Sequence, residues 1–196
     1  MGKGASTRLA VLEVATEIAA RRGLAGLTIG TLAESAGLSK SGLFAHFGSK
    51  EELQLATVGH ARDRFVNEVL LPALAQPRGE PRLRTFFERW LVACRDGMPA
   101  GCVYLSAKPE FDDQPGRVRD QLASDYRDLL DSIGQMVQAG IAEGQFRADA
   151  DPAQFAQELD GIVLAFFFAY RLLRDPATET RARRAFDAAL DRIRAT

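Results

Sequence analysis

His46, His60, Cys94 and Cys102 are the side chains best suited to metal or nucleophilic chemistry in this chain of 196 residues. Neither histidine has a cysteine or second histidine at ligand spacing, so no metal site is expected. A Gly/Pro-bearing loop (Gly97, Pro99, Gly101) separates the two cysteines, which would let them act as a redox pair. Two unconnected, partly buried thiols are the simpler reading. Asp112-Asp113 and Asp149/Asp151 could pair as acid and base, yet both fit loop and capping roles more simply. With no nucleophile-base pair, metal set or phosphate loop, an enzyme and a cofactor are not expected. The residues that do cluster are suited to binding. Lys40, Ser41, His46 and Lys50 lie within one short stretch without an intervening acid.

The elements that must hold this cluster can be read from Thr28 to Leu53. Thr28 can N-cap a helix carrying Ile29, Leu32 and Ala33 on one face, and Gly37 ends it. Ser39 caps a second helix two residues later, with Leu43, Phe44 and Phe47 as its buried face. Ser49-Lys50-Glu51-Glu52 reads as a capping box opening a third helix. Helix, glycine turn, short helix is the plan of a helix-turn-helix, and small Ala33 lets the second helix cross closely. The second helix leaves Lys40, Ser41, Gly42, Ala45 and His46 outward, a small and polar face that suits the major groove. Upstream, Ser6 can cap a helix to about Arg22 with Val11, Val14, Ala15, Ile18 and Ala19 inward, after a loose arm from Met1 to Ala5. Gly23 stops it, and Leu24 and Leu27 pin the return loop.

Leu38 to Leu53, LSKSGLFAHFGSKEEL, resembles the recognition segment of the TetR family of tetracycline-repressor-like regulators, a resemblance extending from Thr7 to Leu53. That family often carries Gly-Thr where Ser41-Gly42 stand and Tyr where Phe44 stands. Phe44 has no hydroxyl for a phosphate and Gly42 no side chain for a base, so specificity leans on Lys40, Ser41 and His46. The resemblance implies DNA binding through Thr28, Ser39, Lys40, Ser41, Gly42, Phe44, His46 and Lys50.

Hydrophobic content of 46% and charged content of 26% are ordinary for a globular protein. The net charge of −1 does not itself suggest a nucleic-acid binder. Residues 1–64 hold 8 Lys/Arg against 6 Asp/Glu, and the remainder 17 against 20. The split fits a DNA-reading head on a body that does not bind DNA. The start has no signal-peptide pattern. The longest apolar run, Ile162 to Tyr170, falls far short of the roughly 20 residues that span a bilayer, so a cytoplasmic protein without a membrane partner is expected.

The rest reads as helices. A long one from Lys50 to about Leu70 joins head to body, sends Phe65, Val69 and Leu70 inward, and is broken at Pro72. Pro81 opens a helix with Leu83, Phe86, Phe87, Trp90, Leu91 and Cys94; a short helix follows from Cys102 to about Lys108. Asp112 to Gly116 breaks the chain before a helix to about Glu143. Asp151-Pro152 starts another, which ends near Arg174, and a last helix carries Ala182, Phe186, Leu190 and Ile193. No strand pattern or internal repeat is present. Phe86, Trp90, Cys94, Tyr104, Met136, Phe167 and Tyr170 could line a pocket for an apolar or aromatic small molecule, with Trp90, Tyr104 and Tyr170 as polar anchors. As the family resemblance implies, the last two helices would form a four-helix dimer interface through Phe166, Leu173, Phe186, Leu190 and Ile193.

The expectation is an all-α protein of about nine helices. Residues 1–49 form a three-helix, homeodomain-like helix-turn-helix unit, and residues 50–196 an effector-binding and dimerisation domain. The leading function is a homodimeric repressor released from a palindromic operator by a small-molecule effector. The alternatives are a helical interaction module that never touches DNA, or an enzyme acting on an apolar small molecule.

Overall fold

The structure, a computed structural model, describes residues 3–97 and 102–195. Among these residues it is all helix: α1 (Lys3–Arg22), α2 (Ile29–Ala36), α3 (Lys40–Phe47), α4 (Lys50–Phe65), α5 (Leu71–Leu74), α6 (Glu80–Val92), α7 (Val103–Phe111), α8 (Arg117–Ala142), α9 (Pro152–Phe168) and α10 (Thr178–Ile193). Because α4 runs into α5 through a π turn at Val66–Leu70, the ten segments make nine rods. No strand forms among the described residues; one bridge pairs Phe146 with Arg194.

Several boundaries differ from expectation. α1 already includes Lys3, so Ser6 is not its cap and the supposed arm is helical from there. Pro72 does not break the rod. The π turn ahead of it, in which the Leu71 amide donates to the Val66 carbonyl, widens the helix where the proline ring would otherwise strike the preceding turn. α7 likewise passes Pro109 and reaches Phe111. Gly97 closes a second π turn, Ala93–Gly97, while Pro99 and Gly101 lie outside the described residues.

The chain divides into two compact units, Met1–Arg64 with Met98–Asp125, and Phe65–Gly97 with Tyr126–Thr196. The first is larger than the unit expected at residues 1–49. Leu24, Leu27, Leu32, Leu43, Leu53, Val58, Val103, Ala107, Phe111 and Leu122 share its core, so α4, α7 and the start of α8 complete what α1 to α3 begin. So small a three-helix unit buries too little apolar surface to stand securely alone. In the second unit Phe86, Trp90, Ile133, Met136, Phe155, Leu159, Phe166 and Leu190 are buried. There the Phe87 and Phe186 rings stack at 4.1 Å, and the Arg183 guanidinium grips both oxygens of Glu88 at 2.8 Å. α9 begins where expected: the Asp151 carboxylate accepts the amides of Ala153 and Gln154 at 2.9 and 3.1 Å.

Candidate nucleic-acid interface

Local hydrogen bonding sets the reading helix. Thr28 caps α2 by accepting the Thr31 amide at 3.1 Å, and Thr31 reciprocates by accepting the Thr28 amide at 3.0 Å. At the other end Gly37 takes φ 65°, where a side chain would be strained, and its amide donates to the Ala33 carbonyl. The Leu38 amide donates to the same carbonyl at 3.1 Å. Two residues on, Ser39 caps α3 by accepting the Gly42 amide at 3.1 Å. Leu43 and Phe47 then enter the core, each stabilising the unit by about 1.5–3 kcal/mol. α3 is thereby fixed in rotation as well as position.

Lys40, Ser41, Gly42, Phe44, Ala45 and His46 are all exposed on α3, and none carries negative charge. Phe44 corrects an expectation: placed with the buried face from sequence, it is 58% exposed. In so short a helix Phe44 and Phe47 compete for one inward stripe, and Phe47 with Leu43 fills it. The Ser41 hydroxyl donates to Ser39 Oγ at 3.3 Å. A side chain at Gly42 would approach Ser39 Oγ to 3.1 Å, so the cap benefits from its absence. Lys40 borders a notch between α2 and α3, together with Thr28, Gly30, Thr31, Ala33, Glu34 and Leu38. Sequence reasoning overlooked Arg8, whose guanidinium lies 5.4 Å from the Phe47 ring centre.

Around this face the capping box at Ser49 forms only in half. The Glu52 amide donates to Ser49 Oγ at 3.1 Å, but the Ser49 amide donates to the Phe47 carbonyl at 2.8 Å, and the Glu52 carboxylate pairs with Arg117 of α8. Lys50, assigned to phosphate from sequence, directs its ammonium to the Ala25 carbonyl at 2.6 Å while remaining exposed. The buried Gln54 amide donates to the Leu24 carbonyl at 2.8 Å. His60 Nε2 is buried without a hydrogen-bond partner; burial first, then nearby Arg64, lowers its pKa.

The pocket residues fall in different surroundings. Tyr104 belongs to the first unit, where its hydroxyl donates to Asp125 Oδ2 at 2.5 Å and stands 3.2 Å from the Val58 carbonyl. Asp125 also meets Arg62 at 3.2 Å and Gln121 at 3.0 Å. Burial and this carboxylate push the Tyr104 phenol well above its usual range. In the second unit Phe86 and Trp90 pack edge-on at 5.5 Å, and Phe65 joins them at 6.0 and 5.5 Å. Cys94, Met136 and Phe167 are buried, and Tyr170 stacks on Phe166 at 5.4 Å. Cys94 and Cys102 are buried thiols not joined in a disulfide, and burial raises the Cys102 pKa.

The stripe expected at a dimer interface is covered within the protomer. Phe166, Phe186, Leu190 and Ile193 are between 0% and 8% exposed inside their own unit; Leu173 alone of the five is exposed. α9 and α10 instead border a groove where Gly161, Ala165, Ala185 and Ala188 are exposed. Among the described residues no helix is long and apolar enough to cross a membrane, and no group of three potential ligands could hold a metal ion.

A capped helix-turn-helix with an acid-free reading helix, on an all-helical body, defines a DNA-binding transcriptional regulator. The signature of bacterial regulatory proteins of the tetR family matches residues 11–57, and that of the tetracyclin repressor-like C-terminal domain matches residues 79–186. The chain belongs to the TetR family. It is similar in structure to a TetR transcriptional regulator from Chloroflexus aurantiacus J-10-FL, with 26% identity, all of both chains covered and a TM-score of 0.86. A TetR-family regulator from Cytophaga hutchinsonii shares 20% identity, covering 100% of this chain and 98% of its own, with a TM-score of 0.80. AibR, solved in complex with isovaleryl coenzyme A and operator DNA, shares 22% identity over 92% of this chain and 94% of its own, with a TM-score of 0.71. No curated protein matches the sequence significantly.

Proposed function

We propose that this regulator is a homodimeric repressor that a small apolar or aromatic effector releases from a palindromic operator, and that it works in the cytoplasm without catalysing a reaction. The observation that carries the reading is α3, on which Lys40, Ser41 and His46 stand outward from a helix held in rotation by the Ser39 cap and by buried Leu43 and Phe47. Those three residues face bases or adjacent phosphates, while Thr28, Ser39 and Lys50 sit near the amide-rich helix starts that favour phosphate. Residues 1–49 supply the reading surface, and residues 50–196 the effector site and the dimer contact.

Two copies are needed because one short helix reads only a few base pairs; a two-fold pair reads half-sites one helical turn or a multiple apart. The exposed small residues bordering the α9–α10 groove support close approach of a second copy. The aromatic cluster of Phe65, Phe86 and Trp90 supports an apolar effector. For release, the effector must favour a spacing of the two reading heads that misfits the operator; linkage then lowers operator affinity by the factor through which DNA lowers effector affinity.

The test is selection of bound duplexes from a random pool at low ionic strength. A palindromic sequence should emerge, and Ser41→Ala should change which sequence is enriched while leaving binding to random DNA unchanged. A pool that stays random, or a Ser41→Ala protein that selects the same sequence, would defeat the assignment of α3 as the reading helix.

A further inference from the structure

Phe44 is a large apolar ring, 58% exposed, in the middle of the reading face. Its position is not a packing accident. The α3 residues on either side of it in the core, Leu43 and Phe47, are buried at 0% and 5%, so the helix cannot rotate to hide Phe44 without expelling them. Lys40 and Ser41, one turn before it, and Ala45 beside it are also exposed. Gly42 and Ala45 are too small to cover the ring, and among the described residues no aromatic ring or cation stacks on it. It therefore stands clear of a surface whose other members are polar or small.

A phenyl ring cannot donate to a phosphate oxygen, and it cannot satisfy the donors and acceptors along a base edge. The major groove offers one apolar group that it can cover, the C5-methyl of thymine. We propose that Phe44 is a specificity-determining residue that seats against a thymine C5-methyl in each operator half-site. This rests on the reading of α3 as the helix that enters the groove. Lys40 and Ser41, on the preceding turn of the same face, hold the ring in register against neighbouring phosphate and base.

The experiment uses the full chain and the duplex enriched by selection. Each thymine of one half-site is replaced in turn by deoxyuridine, which removes the methyl and leaves the hydrogen-bonding pattern intact. Wild-type protein should lose about fourfold in affinity at one position, the amount expected for one buried methyl. Phe44→Ala should lose affinity for the thymine duplex and bind the two duplexes equally; being exposed, the position tolerates the change without unfolding. Replacing that T·A pair by C·G or by 5-methylcytosine·G changes the hydrogen-bonding pattern alike in both, so wild type should bind the 5-methylcytosine duplex severalfold more tightly than the cytosine duplex, and Phe44→Ala should bind the two equally. Equal binding of thymine and deoxyuridine duplexes at every position, discrimination that survives Phe44→Ala, or wild-type protein that binds cytosine as well as 5-methylcytosine there would each overturn the assignment. Loss of affinity by Phe44→Ala on every sequence alike would place the ring against sugar instead. Failure to enrich any sequence would remove the reading of α3 itself, a result distinct from these.

Discussion

One carboxylate does for the α1–α2 turn what no residue inside that turn can do. Glu110, at the end of α7, accepts the Leu24 amide at 3.2 Å and the Ala25 amide at 2.8 Å, one on each oxygen. Gly23, at φ 83°, makes room for it: a side chain there would come within 2.4 Å of Glu110 Oε1. The carbonyls of the same two residues are taken by Gln54 and Lys50, so the backbone just ahead of Thr28 is held on both sides. Glu110→Gln offers one acceptor oxygen and turns an amide donor toward the other backbone N–H. The variant should lose about 1–2 kcal/mol of stability in urea unfolding, with faster hydrogen exchange at Leu24 and Ala25. Unchanged exchange at both amides would show that the turn holds itself. None of this was legible in the sequence, because the partners lie 85 and 86 positions apart. The caps at Thr28, Ser39 and Asp151 were legible because donor and acceptor lie within three residues and the motif carries its own geometry.

At the scale of elements, periodicity located the helices but read their ends and faces less well. Pro72 reads as a stop and Lys108 as about the end of a short helix, yet a widened turn carries the helix through the first and α7 continues past the second to Phe111. A stripe such as Phe186-Leu190-Ile193 shows that one side of a helix is covered without showing what covers it; here it is the helix's own unit. The end of α10 is then tied to the start of α6. Arg194 donates to the two Glu80 oxygens at 2.6 and 2.8 Å, and Arg84 adds a bond at 2.7 Å. The Arg194 bond, opposed by burial and aided by Arg84, holds Glu80 at about 2, against an ordinary 4.5. A depressed carboxylate stabilises the fold while ionised. Its contribution is complete above pH 4.5 and is lost as the pH falls from 4.5 toward 2. Glu80→Gln should therefore be less stable than wild type at neutral pH, by roughly 1 kcal/mol after solvent screening. Thermal unfolding should show the two proteins converging as the pH drops through that window; a gap that persists at low pH would mean that Glu80 acts through packing.

At the scale of the whole molecule, a near-neutral chain reads DNA because charge matters only where it meets phosphate, and α3 needs few cations once its caps and core have fixed it. On the proposed reading the same economy calls for a second copy, and the α9–α10 groove is the place proposed for it. Glu158 of α9 and Arg192 of α10 form an ion pair beside exposed Ala165 and Ala188, so the groove has a small-residue floor with a charged border. Small side chains let backbones approach closely, and an arginine in their place would put a bulky side chain and an unpaired charge where two helices should meet. Because Ala165 is exposed, Ala165→Arg should keep the helical content of the protomer. It should sediment as a monomer at micromolar concentration where wild type should sediment as a dimer. Its affinity for the palindromic duplex should fall toward that for a single half-site, since the second half-site no longer binds as part of the same particle. A variant that stays dimeric would move the interface to another face. A wild-type protein that is monomeric while binding its duplex tightly would remove the two-fold argument altogether.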